Sequence, residues 1–168
     1  DDGPPVRLFV MGVNEWRHEA EWPLARTRYT DYYLAPEGDG SGSLSTQAPN
    51  EPWSVTYTYD PDDPTPTLGG NHSSPDIMGV LRVGSVDQRP NEDRGDVLVY
   101  STPPLREDTE VTGPVVVRLY AASTARDTDF IARLIDVYPD GTAYNLTEGL
   151  VRARFRASIW EEPSLIEP

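Results

Sequence analysis

Apolar and polar residues alternate with period two along most of this chain. Trp53, Val55, Tyr57 and Tyr59 fall on one side of a segment whose other side is Ser54, Thr56 and Thr58, the pattern of a half-buried strand. Arg7-Leu8-Phe9-Val10-Met11 is a short apolar run ended by Gly12 and predicts a strand of about five residues. Asp96 to Tyr100 and Pro114 to Tyr120 are rich in β-branched and aromatic residues, as buried strands are. Thr128 to Val137 sets Phe130, Ala132 and Leu134 against Ile131, Ile135 and Val137, and Leu150 to Phe155 sets Val151, Ala153 and Phe155 against Arg152, Arg154 and Arg156. Helical turns are expected only around Glu15 to Trp22.

Strong turn signals separate these runs. Glu37 to Ser43 is Gly- and Ser-rich and reads as a flexible loop, and Pro139-Asp140-Gly141 reads as a hairpin turn. Asp60 to Pro66 holds three prolines, which cannot donate to a ladder, so an extended connection is expected there. Asn71 to Asp87 is the longest stretch without periodicity, and a loop of that length in a compact domain is usually functional or disordered. Many short strands with Pro and Gly between them and hardly any helix indicate an all-β fold, a sandwich or barrel, in a single domain over residues 1–168.

Composition narrows the function classes. The 168 residues include 28 acids against 14 basic residues, every one of them Arg, for a formal charge of −14. That balance argues against a nucleic-acid binder, whose basic stripe would supply the affinity, and against docking on anionic lipid. With no Cys there is neither a disulfide framework nor a thiolate metal site, and no apolar run reaches the length of a membrane span. The start Asp1-Asp2-Gly3-Pro4-Pro5 is neither a signal peptide nor an initiator Met, so the chain reads as part of something larger. The compartment stays open, with the cytoplasm preferred, and no cofactor is expected.

Candidate chemistry within the chain is sparse. A hydrolase nucleophile elbow needs G-x-S-x-G between a strand and a helix, and Gly38-Asp39-Gly40-Ser41-Gly42 has neither the spacing nor the flanks. His18 and His72 are the available imidazole bases; Ser73 and Ser74 adjoin His72 in sequence, which is not triad geometry. Asp60, Asp62 and Asp63 could offer oxygens to a hard cation, but without the ordered ligands of a calcium loop they read better as turn caps. Arg94-Gly95-Asp96 spells an adhesion tripeptide, and Asn71-His72-Ser73 and Asn145-Leu146-Thr147 spell glycosylation sequons; matches this short arise by chance. Arg152, Arg154 and Arg156 read as a solvated face or as partners for the acids. Trp16, Trp22, Trp53 and Trp160 could stack on sugar rings, though filling a sandwich core is the simpler use.

Several phrases together resemble one family. Pro5 to Gly12, then Trp16-Arg17 and Glu21-Trp22-Pro23, are similar to the entry of the C-terminal domain in the X-Pro dipeptidyl-peptidase and cocaine esterase family of α/β-hydrolases. Tyr59 to Pro64, Pro66 to Gly70, Asp87 to Pro90, Arg94 to Tyr100 and Thr112-Gly113-Pro114 continue the likeness. Asp127 to Phe130, Asp136 to Gly141 and Asn145 to Gly149 complete it, in order, over nearly the whole chain. The resemblance implies a galactose-binding-like jelly-roll β-sandwich that carries no catalytic residue of its own. It implies hydrolysis of esters, or of peptides after an X-Pro pair, by a Ser, Asp and His in a preceding α/β domain, the expected partner; a homo-oligomer is a further expectation. It also implies that Asn71 to Val86 leans toward the active site. Gly70, Asn71, His72 and Ser73 are then candidate cleft residues, with Asp87, Gln88 and Arg89 anchoring the base of the loop. Asn71-His72-Ser73-Ser74 stands where a relative carries apolar residues. Relatives continue through more strands past Glu167-Pro168, so a jelly roll built from this chain alone is expected to lack its last strands and expose an edge. The competing reading is a carbohydrate-binding module.

Overall fold

The computed structural model describes residues 3–37, 41–71 and 83–167. The chain packs as two compact units, one drawing on residues 1–37, 42–53 and 100–116, the other on 38–41, 54–99 and 117–168. Its strands are short and antiparallel, in an all-β architecture of the sandwich class.

The first unit opens with a hairpin of β1 (Val6–Val10) and β2 (Glu15–Glu19). Gly12 and Asn14 turn the chain at φ of 87° and 57°, a region open to Gly and tolerated by Asn. Val6, Leu8 and Val10 are the more covered side of β1. On the other side Phe9 stands opposite Trp16 with ring centroids 5.3 Å apart, and the Arg7 guanidinium lies 4.3 Å over the Trp16 ring. β3 (Tyr33–Pro36), β4 (Ser41–Ser45) and β5 (Val99–Ser101) follow as a three-stranded sheet in that order. Gly42 on β4 lies under the Tyr100 ring, where an added Cβ would fall 2.6 Å from Cδ1; the ring takes the space a side chain would need.

The second unit is built on the long hairpin of β6 (Asp129–Val137) and β7 (Ala143–Arg152). Its turn is the Pro139-Asp140-Gly141 stretch expected from sequence, closed by Tyr138 N–H to Thr142 O at 2.9 Å, with Gly141 at φ 83°. The register jumps from Leu134↔Thr147 to Ile135↔Asn145, leaving Leu146 as the extra residue of a β-bulge. One helical turn, α1 (Arg89–Glu92), carries a Pro near its start.

Several sequence expectations change. Glu15–Glu19 is strand, not helix, because the tight Met11–Asn14 turn brings it onto β1. Residues 53–59 and 114–120 form no strand and have no ladder partners among the described residues. Period two reports which side a side chain takes, and says nothing of whether a neighbouring backbone is present; Val116 is 70% and Tyr120 fully exposed. The strand expected over Asp96 to Tyr100 shortens to β5, since Asp96 is engaged by Arg94. β7 ends at Arg152 and turns into a 3₁₀ turn over Ala153–Phe155, so the three arginines do not share a strand face. Residues 38–40 of the Gly-Ser loop lie outside the described residues, and its end from Ser41 to Ser43 belongs to β4.

Apolar burial is thin. Leu24, Ala143 and Ala153 are the buried apolar residues among those described, whereas Gln88, Asn91 and Asn145 are buried polar ones. Phe9, Met11, Val13, Trp16 and Trp22 are exposed by 45% to 60%.

Candidate functional site

The buried polar residues meet in the second unit, around a neck where Gly70 and Gly84 come together. Gly70 and Gly84 pair across that neck by two backbone hydrogen bonds, of 2.8 and 2.9 Å. From Gly84 the chain runs beside the free edge of β7: Ser85 Oγ donates to Asn145 O at 3.0 Å, and Gln88 N–H donates to Ala143 O at 2.8 Å. The neck can form because position 69 is glycine. At φ 64° an added Cβ there would strike the Gly84 carbonyl and stand 2.6 Å from Val86 Cγ2.

Gln88 is the most completely buried large side chain of those described. Its Nε2 donates to Leu68 O at 2.8 Å, to Val86 O at 3.2 Å and to Asn145 Oδ1 at 3.1 Å. Its Oε1 accepts from Arg133 Nη1 at 2.8 Å, and Arg133 Nε in turn pairs with Glu148 Oε2 at 2.8 Å. Both ends of the Gln88 amide are therefore satisfied, as burial demands. Arg133 and Glu148 face each other across β6 and β7, so the hairpin register delivers them as a pair.

Asp87 and Arg89 lie on the outside of this cluster. Arg89 donates to both Asp87 oxygens, from Nε at 3.0 and 2.9 Å and from Nη2 to Oδ2 at 2.5 Å. Asp87 Oδ1 also accepts the N–H of Arg89, and of Ala143 at 3.3 Å. The Arg89 side chain chiefly, with these amides, lowers the Asp87 carboxyl to about 2. Asn91, buried at the start of the next segment, donates to Pro66 O at 3.0 Å and fixes the approach to the neck.

Of the sequence candidates, Gly70 sits at the neck, Asn71 is exposed just past it, and His72 and Ser73 lie outside the described residues. Asp87, Gln88 and Arg89 are the residues that follow the returning leg. Sequence reasoning missed Asn145, treated there as a sequon. Its burial, with both ends of its amide hydrogen-bonded to the returning leg, argues against a glycan there. The available signal was an amide at an inward strand position between Ala143 and Thr147. The adhesion tripeptide folds back on itself, Arg94 Nε donating to Asp96 Oδ1 at 2.7 Å and Nη2 to Oδ2 at 2.9 Å, while Nη2 also reaches Asp63 O at 2.7 Å. Asp60 caps its own turn, accepting the Asp62 N–H at 2.9 Å. Arg152 pairs with Asp129 and Arg154 with Asp127, and Arg156 donates to the carbonyls of Ala153 and Ser164.

An all-β domain of the sandwich class, with its buried polar groups gathered at the neck of one long connection, is the class of protein that fold and site define. The chain belongs to the family of X-Pro dipeptidyl-peptidase C-terminal non-catalytic domains, whose profile matches residues 1–168. It is 48% identical over 172 residues to the cocaine esterase of Rhodococcus sp. (strain MB1 Bresler), covering 98% of this chain and 29% of that protein. A Mycobacterium bovis protein bearing a serine esterase name is 33% identical over 154 residues, covering 91% of this chain and 23% of that protein. Among solved structures, an aminopeptidase from a marine sediment archaeon (Thaumarchaeota archaeon) superposes with a TM-score of 0.80 at 28% identity. The match covers 100% of this chain and 29% of that one. The chain thus spans less than a third of the length of the relatives it matches.

Proposed function

We propose that this chain is the accessory C-terminal β-sandwich of a serine hydrolase of the acyl esterase or X-Pro dipeptidyl-peptidase type. In this reading it packs against a catalytic α/β domain of the same protein and lines the substrate cleft through Asn71 to Val86. Acyl transfer needs a nucleophile, a base and an oxyanion hole held together, and these would come from the catalytic domain. This chain would contribute stability and one wall. The observation that carries the reading is the braced neck: a sandwich that merely capped a neighbour would have no need to lock both ends of a single connection with a buried amide cluster. The exposed apolar side chains of the first unit add support, since a surface of Phe9, Met11, Val13 and Trp16 suits a permanent protein interface.

The test is made in the full-length hydrolase. Residues 73–81 are replaced by a short Gly-Ser linker, and kcat and KM are measured on nitrophenyl esters of increasing acyl size and on X-Pro anilides. The expected result is a raised KM for bulky acyl groups with nitrophenyl acetate little changed; unchanged kinetics on every substrate would refute the cleft role. Substantial turnover by residues 1–168 alone would refute the accessory role. The glycan-binding alternative draws on Trp160, 89% exposed, but the Trp16 ring carries the Arg7 guanidinium over it and packs against Phe9. Retardation in a polysaccharide gel that Trp160→Ala abolishes would favour that alternative.

A further inference from the structure

We propose that the outward face of the β1–β2 hairpin is the surface by which this domain docks on the catalytic domain of its own protein, which meets it with an apolar hollow edged by a carboxylate. The inference rests on the accessory reading above and deepens it by naming the contact. Arg7 stands opposite His18 and Phe9 opposite Trp16 in the antiparallel ladder, so these four side chains share one side of the hairpin. All four are exposed, and the turn adds Met11 and Val13, each 60% exposed. The hairpin is the reverse of a solvated one. β2 sends Arg17 and Glu19 to its more covered side and Trp16 to its open side. The covered charges are pinned within the same unit: Arg17 Nη1 donates to Glu110 Oε2 at 2.6 Å, and Arg26 donates to both Glu19 oxygens, at 2.8 and 2.5 Å. Those bonds fix which side turns outward, whereas a ribbon meant for water would show its charges and hide its indole.

Charge and attachment select the occupant. Acids outnumber basic residues 28 to 14 in the chain, yet the ionisable groups paired on this face are Arg7 and His18. The Arg7 guanidinium lies 4.3 Å over the Trp16 ring and joins no ion pair among the described residues. Its donors suit a carboxylate on the occupant, and the two aromatic rings suit an apolar hollow. A second copy fits poorly, because a two-fold pair would lay this basic face on itself. Attachment favours the catalytic domain. The family is one of C-terminal non-catalytic domains, its profile matches from residue 1, and the match covers 29% of the cocaine esterase relative. In a protein so arranged the rest of the chain enters beside β1, whose first residue is Val6, at most about 18 Å of extended chain away. A tether that short holds the catalytic domain near the hairpin at an effective concentration on the order of millimolar.

The experiment uses the full-length hydrolase with a protease site inserted ahead of Asp1. After cleavage the two pieces are run on a sizing column over a dilution series, for wild type, Trp16→Asp, Arg7→Glu and, as control, Trp160→Asp, which alters an exposed indole off the hairpin. Wild-type and control pieces should stay together, while Trp16→Asp raises their dissociation constant roughly thirtyfold and Arg7→Glu roughly tenfold. If neither hairpin variant loosens the pair, or the control loosens it equally, the proposal is overturned and the accessory reading stands. Release by Trp16→Asp but not by Arg7→Glu overturns the carboxylate. Wild-type pieces that separate at once, with full esterase activity in the larger, would overturn the accessory reading itself. If the uncut protein is a dimer that Trp16→Asp turns into a monomer, the occupant is a second copy and the proposal falls. Should Trp16→Asp fail to accumulate, hydroxyl-radical footprinting of the uncut wild type decides: Trp16 and Met11 must be protected, and oxidation of Trp16 as fast as Trp160 overturns the docking face.

Discussion

Gly69→Ala tests whether the neck is held by close backbone approach or only by a favourable backbone angle. Gly141→Ala supplies the comparison, since both residues have positive φ, 64° and 83°, but nothing lies within 4 Å of a Cβ built on Gly141. At Gly141 the left-handed conformation costs alanine about 1–2 kcal/mol, offset by about 0.4–1 kcal/mol of reduced freedom in the unfolded chain, for a net near 1 kcal/mol. At Gly69 the same term applies, and the new methyl also lands on the Gly84 carbonyl and 2.6 Å from Val86 Cγ2, where carbon pairs settle at about 3.5–4.0 Å. Relieving that overlap moves the legs apart and breaks both Gly70–Gly84 hydrogen bonds, each worth about 1 kcal/mol. Local opening at the neck should therefore cost about 2 kcal/mol less in Gly69→Ala than in Gly141→Ala, or about 30-fold in the opening equilibrium. Hydrogen exchange followed by mass spectrometry on peptides covering 66–71 and 83–88 reads this directly. Protection at both legs should fall by that factor in Gly69→Ala and stay near wild type in Gly141→Ala. Equal loss in the two variants, or less than threefold loss in Gly69→Ala, would refute the close-approach argument.

Two further outcomes follow from the ion pairs. Because Arg94 and Asp96 bond each other, the Arg-Gly-Asp stretch should not support cell attachment, and attachment to immobilised protein that a free tripeptide competes away would contradict this. The Asp87 carboxyl lies below its ordinary value, chiefly through the Arg89 hydrogen bonds, and Asp96, Asp129 and Glu110 are lowered by Arg94, Arg152 and Arg17. A depressed carboxyl contributes stability that is present above its unfolded value and is lost as pH falls through its folded value. For Asp87 the window runs from about 4 down to about 2. Thermal midpoints should thus fall between those pH values, less steeply in Asp87→Asn, and an identical pH slope in that variant would remove Asp87 from the account.

β6 and the turn after it were legible because their signals are local, nine alternating residues and a Pro-Asp-Gly turn, whereas the alternation read at Leu150 to Phe155 caught only the end of β7. The stretches at 53–59 and 114–120, which have no ladder partners among the described residues, show the limit of that logic. Their patterns are as good as that of β6, yet a ladder needs a second backbone at about 4.8 Å, and period two carries no information about it. Glu15–Glu19 erred the other way, a strand with weak propensity created by a turn that lays it on β1. At the candidate site, Gln88 and Asp87 could be named as flanking a long loop, but Asn145, 57 residues further on, could not.

By itself the sequence determined the all-β class, the acidic surface with its all-Arg set of cations, the long connection after Gly69-Gly70, and the family phrases. These depend on residue type and on neighbours a few positions away. Tertiary structure alone decided that Arg94 turns inward to Asp96, that the Arg152 to Arg156 row is broken by a 3₁₀ turn, and that Asn145 meets Gln88 beneath the neck. Those outcomes depend on which backbones arrive side by side. A bulge of one residue at Leu146 changes which side chains β7 turns toward residues 84–88, and no spacing rule along the chain specifies that one residue.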